Sequence, residues 1–119
     1  MGKQTKIAFS KSDFKANSKL QLIHTDVCGP MHVESLNGSK YFLLFVDDYS
    51  RYCWIYFLKN KADVFSKFLM FKAEAELETG NKLKMIRSDN GGEFTSRQLE
   101  NYLMKEGIKH QLTVPYTPQ

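Results

Sequence analysis

Apolar positions in this chain fall into short β-prone runs and two longer stripes at helical spacing, separated by turns rich in Gly, Asn and Asp. Residues 20–27, carrying Leu20, Leu22 and Ile23, read as a first strand. Asn37-Gly38 is a tight-turn signal, and it leads into Lys40–Asp48, whose Tyr-Phe-Leu-Leu-Phe-Val centre reads as a buried strand. Asp47-Asp48-Tyr49-Ser50 turns the chain again into Arg51–Leu58, aromatic and β-branched. Three strands joined by short turns predict an antiparallel meander.

The period then changes. Asn60 is placed to cap a helix, with Asp63 in its first turn. Val64, Phe65, Phe68, Leu69, Phe71 and Ala75 form one apolar stripe, Glu74, Glu76 and Glu78 its solvent side, and Gly80 its end. Leu83–Ser88 is a fourth strand. Thr95 with Gln98 spells a capping box, and Phe94 against Leu99 fits a hydrophobic staple. Gly107 lets Ile108 fold back on Leu103 at that helix's end, and Lys109–Val114 is a fifth strand. The order βββαβαβ predicts an α/β domain: a mixed five-stranded sheet in which the meander is continued by parallel strands through right-handed crossovers.

Two carboxylates stand where such a sheet does chemistry. In Ile86-Arg87-Ser88-Asp89-Asn90-Gly91-Gly92-Glu93-Phe94 an apolar run stops at Asp89 and a glycine turn follows. His24-Thr25-Asp26-Val27-Cys28-Gly29-Pro30 also follows an apolar run and ends in a breaker. Open α/β sheets place ligands beyond the carboxyl ends of their strands. Mg²⁺ is held by one or two carboxylates plus substrate phosphates. Turn chemistry alone accounts for either aspartate singly; the pair points to shared hard cations, provided the first and fourth strands are neighbours. His24 points to the same face as Asp26 and reads as a satisfied strand-end histidine. Asp47 and Asp48 read as turn residues, and Trp54, Tyr52 and Tyr56 as packing or contact residues rather than base-stacking ones, since no basic residue interleaves with them.

Charge adds an arm. Of 17 basic and 13 acidic residues, Lys3, Lys6, Lys11, Lys15, Lys19 and Asp13 fall in residues 1–19, so the whole net charge of +4 lies there and the rest balances. That suits a phosphate-contacting tail and a solvated linker equally. A chain of 119 residues is one modest domain or part of one. No apolar run approaches the roughly 20 residues of a membrane span, no secretory signal is apparent, and Cys28 and Cys53 lack metal-site spacing and read as reduced thiols.

Leu22–Met31, Tyr41–Arg51, Arg87–Phe94, Gly107–Gln111 and Pro115–Gln119, in that order, resemble the integrase catalytic core of copia-type LTR retrotransposons. Gly2-Lys3-Gln4 resembles the tail of the small zinc-binding domain that precedes that core. The resemblance implies residues 1–19 as a basic linker after a missing zinc-binding domain, and residues 20–119 as a C-terminally truncated ribonuclease-H-like core. It implies a polynucleotidyl transferase with an Asp, Asp, Glu triad and two Mg²⁺ or Mn²⁺ ions, Asp26 and Asp89 being the first two ligands. The family's Glu follows the Pro-Tyr-x-Pro-Gln loop, after this sequence stops; Glu93, Glu100 and Glu106 come too early to replace it. The expectation is therefore a fragment inactive alone, from a protein whose partners are retrotransposon cDNA ends, target DNA and further copies of itself, working in the nucleus and not at a membrane. Asn90, Tyr116 and Gln119 are the expected DNA contacts. Two other readings stand beside it: a non-catalytic nucleic-acid-binding or assembly remnant of a retrotransposon polyprotein, and an unrelated small α/β enzyme that uses Asp26 and Asp89 otherwise.

Overall fold

The computed structural model describes residues 15–31, 38–89 and 94–113. Its strands are β1 (Ile23–Cys28), β2 (Tyr41–Asp47), β3 (Cys53–Leu58), β4 (Met85–Asp89) and β5 (Lys109–Thr113). Helix α1 (Val64–Thr79) lies between β3 and β4, and helix α2 (Arg97–Glu106) between β4 and β5. The sheet runs β3-β2-β1-β4-β5. β1–β2 and β2–β3 are antiparallel, β1–β4 and β4–β5 parallel. The meander and its parallel continuation are thus as the sequence predicts, and β1 and β4 are neighbours.

Several boundaries shift for local reasons. β1 begins at Ile23 because Leu20 takes a left-handed conformation (φ 67°), yet Leu20 is fully buried and its carbonyl still accepts from Lys84 N–H at 3.0 Å. β3 begins at Cys53 because Arg51 is likewise left-handed (φ 68°). Asn60 does not cap α1 with its side chain; a 3-10 turn, Lys61–Asp63, comes first. The cap of α2 is Ser96, whose side chain accepts from Leu99 N–H at 3.2 Å, and not Thr95. The end of α2 has the expected form: Ile108 N–H reaches Leu103 O at 2.9 Å and Gly107 N–H reaches Met104 O at 3.2 Å, with Gly107 left-handed (φ 74°). Gly29 is required where β1 meets the approach to β2, since a Cβ there would lie 2.8 Å from Lys40 O and from the Tyr41 ring.

Both helices cover one face of the sheet. Val64, Phe68, Phe71 and Ala75 of α1 and Leu99 and Leu103 of α2 join Ile23, Leu43, Phe45 and Ile86 in one core cluster. Phe71 stacks on Phe45 at 3.9 Å between centroids and meets Trp54 edge-on at 5.2 Å. Tyr102 bridges the helices through Phe65 and Phe68. Of the glutamates expected on the solvent side of α1, Glu74 and Glu78 are exposed and Glu76 half-buried, and each also has a partner: Glu78 accepts from Trp54 Nε1–H at 3.2 Å, Glu74 from the Tyr56 hydroxyl, and Glu76 from Lys72 and from Leu83 N–H. Strand alternation sends Phe42, Leu44, Val46, Ile55 and Phe57 to the other face, where Ile55 is 53% and Phe57 39% exposed. Among the described residues no helix is long and apolar enough to cross a membrane.

Candidate active site

The geometry follows from one register. β1 and β4 pair in parallel through Ile23↔Ile86 and His24↔Arg87, a constant offset of 63 positions, which also separates Asp26 from Asp89. The pairing stops at His24 and Arg87; carried two residues further, the same offset brings Asp26 and Asp89 to corresponding positions near the carboxyl ends of the neighbouring strands, on the face that the helices leave open. Both are exposed, whereas Thr25, Arg87 and Ser88 between and beside them are buried. Asp26, Asp89, His24, Thr25, Arg87, Ser88 and Thr113 line a shallow cleft of about 200 Å³. Two larger clefts, of about 420 and 550 Å³, are lined by neither aspartate and lie toward the amino ends of the parallel strands.

The field around Asp26 is visible in a neighbour: burial, then the charge of Asp26, raises the Cys28 thiol above its ordinary value. Cys28 and Cys53 are both free thiols. Arg87 is nine-tenths buried beside the cleft, and its Nε–H donates to Gln111 Oε1 at 2.6 Å; burial lowers its pKa, against the pull of Asp48. His24, at the edge of the cleft, has its Nε2 2.9 Å from Asp48 Oδ1, which is the satisfied role read from the sequence. Asp47 is buried and accepts from Leu20 and Ser50 N–H groups at 2.8 and 2.7 Å, so it closes a turn at the opposite end of β1 from Asp26.

Exposed carboxylates near the ends of adjacent strands and lining one cleft form an oxygen-donor pair of the kind a hard cation uses, with room for water and phosphate oxygens to complete the shell. The residues thus fit a single Mg²⁺ or Mn²⁺. Among the described residues no cluster of three or more His, Cys, Asp or Glu side chains could hold a metal, so Asp26 and Asp89 are the carboxylates that would hold the ion there. Asn90, Tyr116 and Gln119 fall outside the described residues.

Sequence reasoning missed a part-buried set on the helix-covered side. Ser88 Oγ lies 2.7 Å from His110 Nε2, and His110 Nδ1 lies 3.0 Å from Glu100 Oε2. His110 was visible only as a letter within the Gly107–Gln111 motif. Its facing Ser88 depends on the β4–β5 register, which pairs Ile86 with His110 and Ser88 with Leu112.

The integrase core domain model matches residues 16–118. The chain is 52% identical over 118 residues, 99% of its length, to the retrovirus-related Pol polyprotein from transposon TNT 1-94 of Nicotiana tabacum. It is 35% identical over 119 residues to the corresponding polyprotein from transposon RE2 of Arabidopsis thaliana. It spans 9% and 8% of those polyproteins. Among solved structures, the HTLV-2 integrase catalytic core domain in complex with magnesium aligns with a TM-score of 0.62 at 22% identity, covering 82% of this chain and 62% of that one. The simian T-cell lymphotropic virus intasome in complex with the PP2A regulatory subunit B56 gamma gives 0.67 at 20% identity, covering 88% and 36%. The fold is that of these ribonuclease-H-like integrase cores, and the chain belongs to the integrase core domain family.

Proposed function

We propose that this chain carries the two-aspartate part of a phosphoryl-transfer centre of a copia-type retrotransposon integrase, acting on the 3′ ends of element DNA and on target DNA. The observation that supports it is the shared offset that sets Asp26 beside Asp89 on the open face. In this reading both carboxylates hold a divalent cation against a phosphate oxygen. A bound Mg²⁺ or Mn²⁺ would supply charge neutralisation at the phosphorus and lower the pKa of an attacking hydroxyl or water. The chain's own residues do the rest of the work at this rim: Asp26 is held in the β1–β2 ladder opposite Leu44 and Asp89 in the β4–β5 ladder beside Thr113, with Thr25 and Ser88 buried next to them. Tyr116 and Gln119 contact the DNA end, as the resemblance implies, and Asn90, next to Asp89, bonds a phosphate or sugar of the scissile strand. With two carboxylates where the pattern calls for three, the 119 residues alone have little transfer activity.

The test is an oligonucleotide end-processing and strand-transfer assay in Mn²⁺, on the 119-residue chain and on an integrase-length polypeptide that contains it. The longer polypeptide is expected to be active, and Asp26→Asn or Asp89→Asn to lower its rate by about a thousandfold or more, the scale of losing a preorganised electrostatic contact. Full activity in either variant, or equal activity of the short chain, contradicts the proposal.

A further inference from the structure

The pole opposite the aspartates gathers cations from separate parts of the chain. Lys19 ends the basic arm, Lys82 and Lys84 lead into β4, and Lys109 opens β5. Short bonds hold these segments together: Lys84 N–H donates to Leu20 O and Lys109 N–H to Lys84 O, both at 3.0 Å, and Asn81 Nδ2 donates to Lys19 O at 3.1 Å. All four lysines are exposed and line one cleft of about 550 Å³. Among the described residues no carboxylate lines that cleft, and none of the four lysines forms an ion pair. Glu76, the acidic side chain bonded beside it at Leu83 N–H, is already paired with Lys72.

Helix ends do not account for this charge. Gly80 and Gly107, which close α1 and α2, lie at the cleft, where cations are favoured. Each helix end carries only about half a negative charge, so about three of the four positive charges stay unmatched. Like charges held together destabilise the compact state, and a bound polyanion offsets that repulsion.

The adjoining cleft, of about 420 Å³, shares Lys19 and adds Arg51 and Tyr52. Tyr52 is 58% exposed, and Trp54 backs it edge-on at 4.8 Å. An exposed aromatic ring flanked by two cations is a platform on which a nucleobase stacks. The strand itself has no interleaved cation; the fold supplies Lys19. Of the carboxylates lining this cleft, Asp47 is buried and accepts two backbone N–H groups, while Glu78 is exposed and bonded to Trp54 Nε1–H. Glu78 disfavours a phosphate here, which leaves this cleft to a base and the lysine cleft to phosphates. A duplex keeps its bases stacked inside and offers none to Tyr52.

We propose that the two clefts form one track for single-stranded nucleic acid, with backbone phosphates along Lys19, Lys82, Lys84 and Lys109 and a base on Tyr52. From Met85 at the track to Asp89 is four residue steps of β4, about 13 Å. The track is separate from the aspartate cleft, needs no divalent cation, and stands independently of the reading given to that cleft.

Fluorescence anisotropy of labelled oligothymidylate and oligouridylate, each about ten nucleotides long, tests it on the 119-residue chain in EDTA, which keeps cations out of the aspartate cleft. The unaltered chain is expected to bind, with affinity falling steeply between about 50 and 200 mM salt. Lys82→Ala, Lys84→Ala and Lys109→Ala together should weaken binding about tenfold or more and reduce the salt slope by about 2, the share of three single-strand phosphate contacts. Lys40→Ala, Lys59→Ala and Lys61→Ala together remove the same charge at the aspartate pole and, screened by salt, should change affinity by less than about twofold. Tyr52→Leu should weaken single-strand binding about tenfold at an unchanged salt slope, and leave binding of a duplex of the same length unchanged. The replaced side chains are all exposed, and circular dichroism checks that each variant keeps the fold. A preference for either oligomer supports the track and tells whether its strand is DNA or RNA. No binding, equal losses from the two lysine triples, an unchanged affinity in Tyr52→Leu, or displacement by oligoglutamate as effective as by unlabelled oligomer overturns it.

Discussion

Four aspartates near β1 and its partners divide by what their oxygens meet. Asp47 accepts two backbone N–H groups in the interior, and Asp48 accepts from Ala16 N–H at 3.1 Å while pairing with His24. Asp26 and Asp89 are exposed at the cleft. The sequence motif Asp47-Asp48-Tyr49-Ser50 made the first pair legible as turn residues, and the strand-then-glycine context made the second pair legible as ligands. The role of Asp48 as partner to His24 was not legible, because His24 and Asp48 are brought together only by the antiparallel β1–β2 register. Asp48 also carries a pH dependence. Burial raises its pKa, but the His24 hydrogen bond, the Ala16 N–H and the charges of His24 and Arg51 outweigh burial and bring it below its ordinary 3.8. A carboxyl with a lowered native pKa contributes stability that is present above its unfolded value and lost as pH falls through the native one. Urea unfolding should therefore show Asp48→Asn less stable than the unaltered chain near neutral pH, with the gap closing as pH drops below 3.8. A gap that stays constant into acid contradicts this origin.

At the scale of elements, the chain's periodicities were sufficient for type and order and insufficient for ends. The apolar run Tyr41–Val46 and the stripe of Val64, Phe68, Phe71 and Ala75 identify β2 and α1, which bury one face against each other. The starts of β1 and β3 depend instead on left-handed turns at Leu20 and Arg51, residue types that give no warning of positive φ. The start of α2 has two adjacent capping letters, Thr95 and Ser96, and the Thr95–Gln98 spacing favours the wrong one. Ser96 wins since its extended backbone (φ −63°, ψ 150°) lets its hydroxyl accept from Leu99 N–H while Phe94 is drawn into the core. Ser96→Ala should lower stability by about 1 kcal/mol, the usual worth of a side-chain N-cap. Denaturant unfolding with an unchanged midpoint would show that the cap bond contributes nothing to α2.

For the molecule as a whole, the asymmetry of the sheet matters most. Both described helices sit on one side, and the other side holds the cleft at β1 and β4 and the apolar residues of β2 and β3. This leaves the aspartates reachable from solvent. The strand order that makes them neighbours was reached from the sequence as one topology among several, since periodicity fixes which way a side chain points along its own strand but not which strand lies beside it. The placement of Asp26 and Asp89 on neighbouring strands required the β1–β4 pairing, and the Glu100–His110–Ser88 line required both the β4–β5 ladder and α2. The central claim is that these two carboxylates serve one cation. Carbon-detected NMR of the aspartate carboxyl groups during Mg²⁺ titration tests it most directly: the expected result is that Asp26 and Asp89 shift together along a single binding curve while buried Asp47 stays still, and the contradictory result is that they shift at different Mg²⁺ concentrations or do not shift at all.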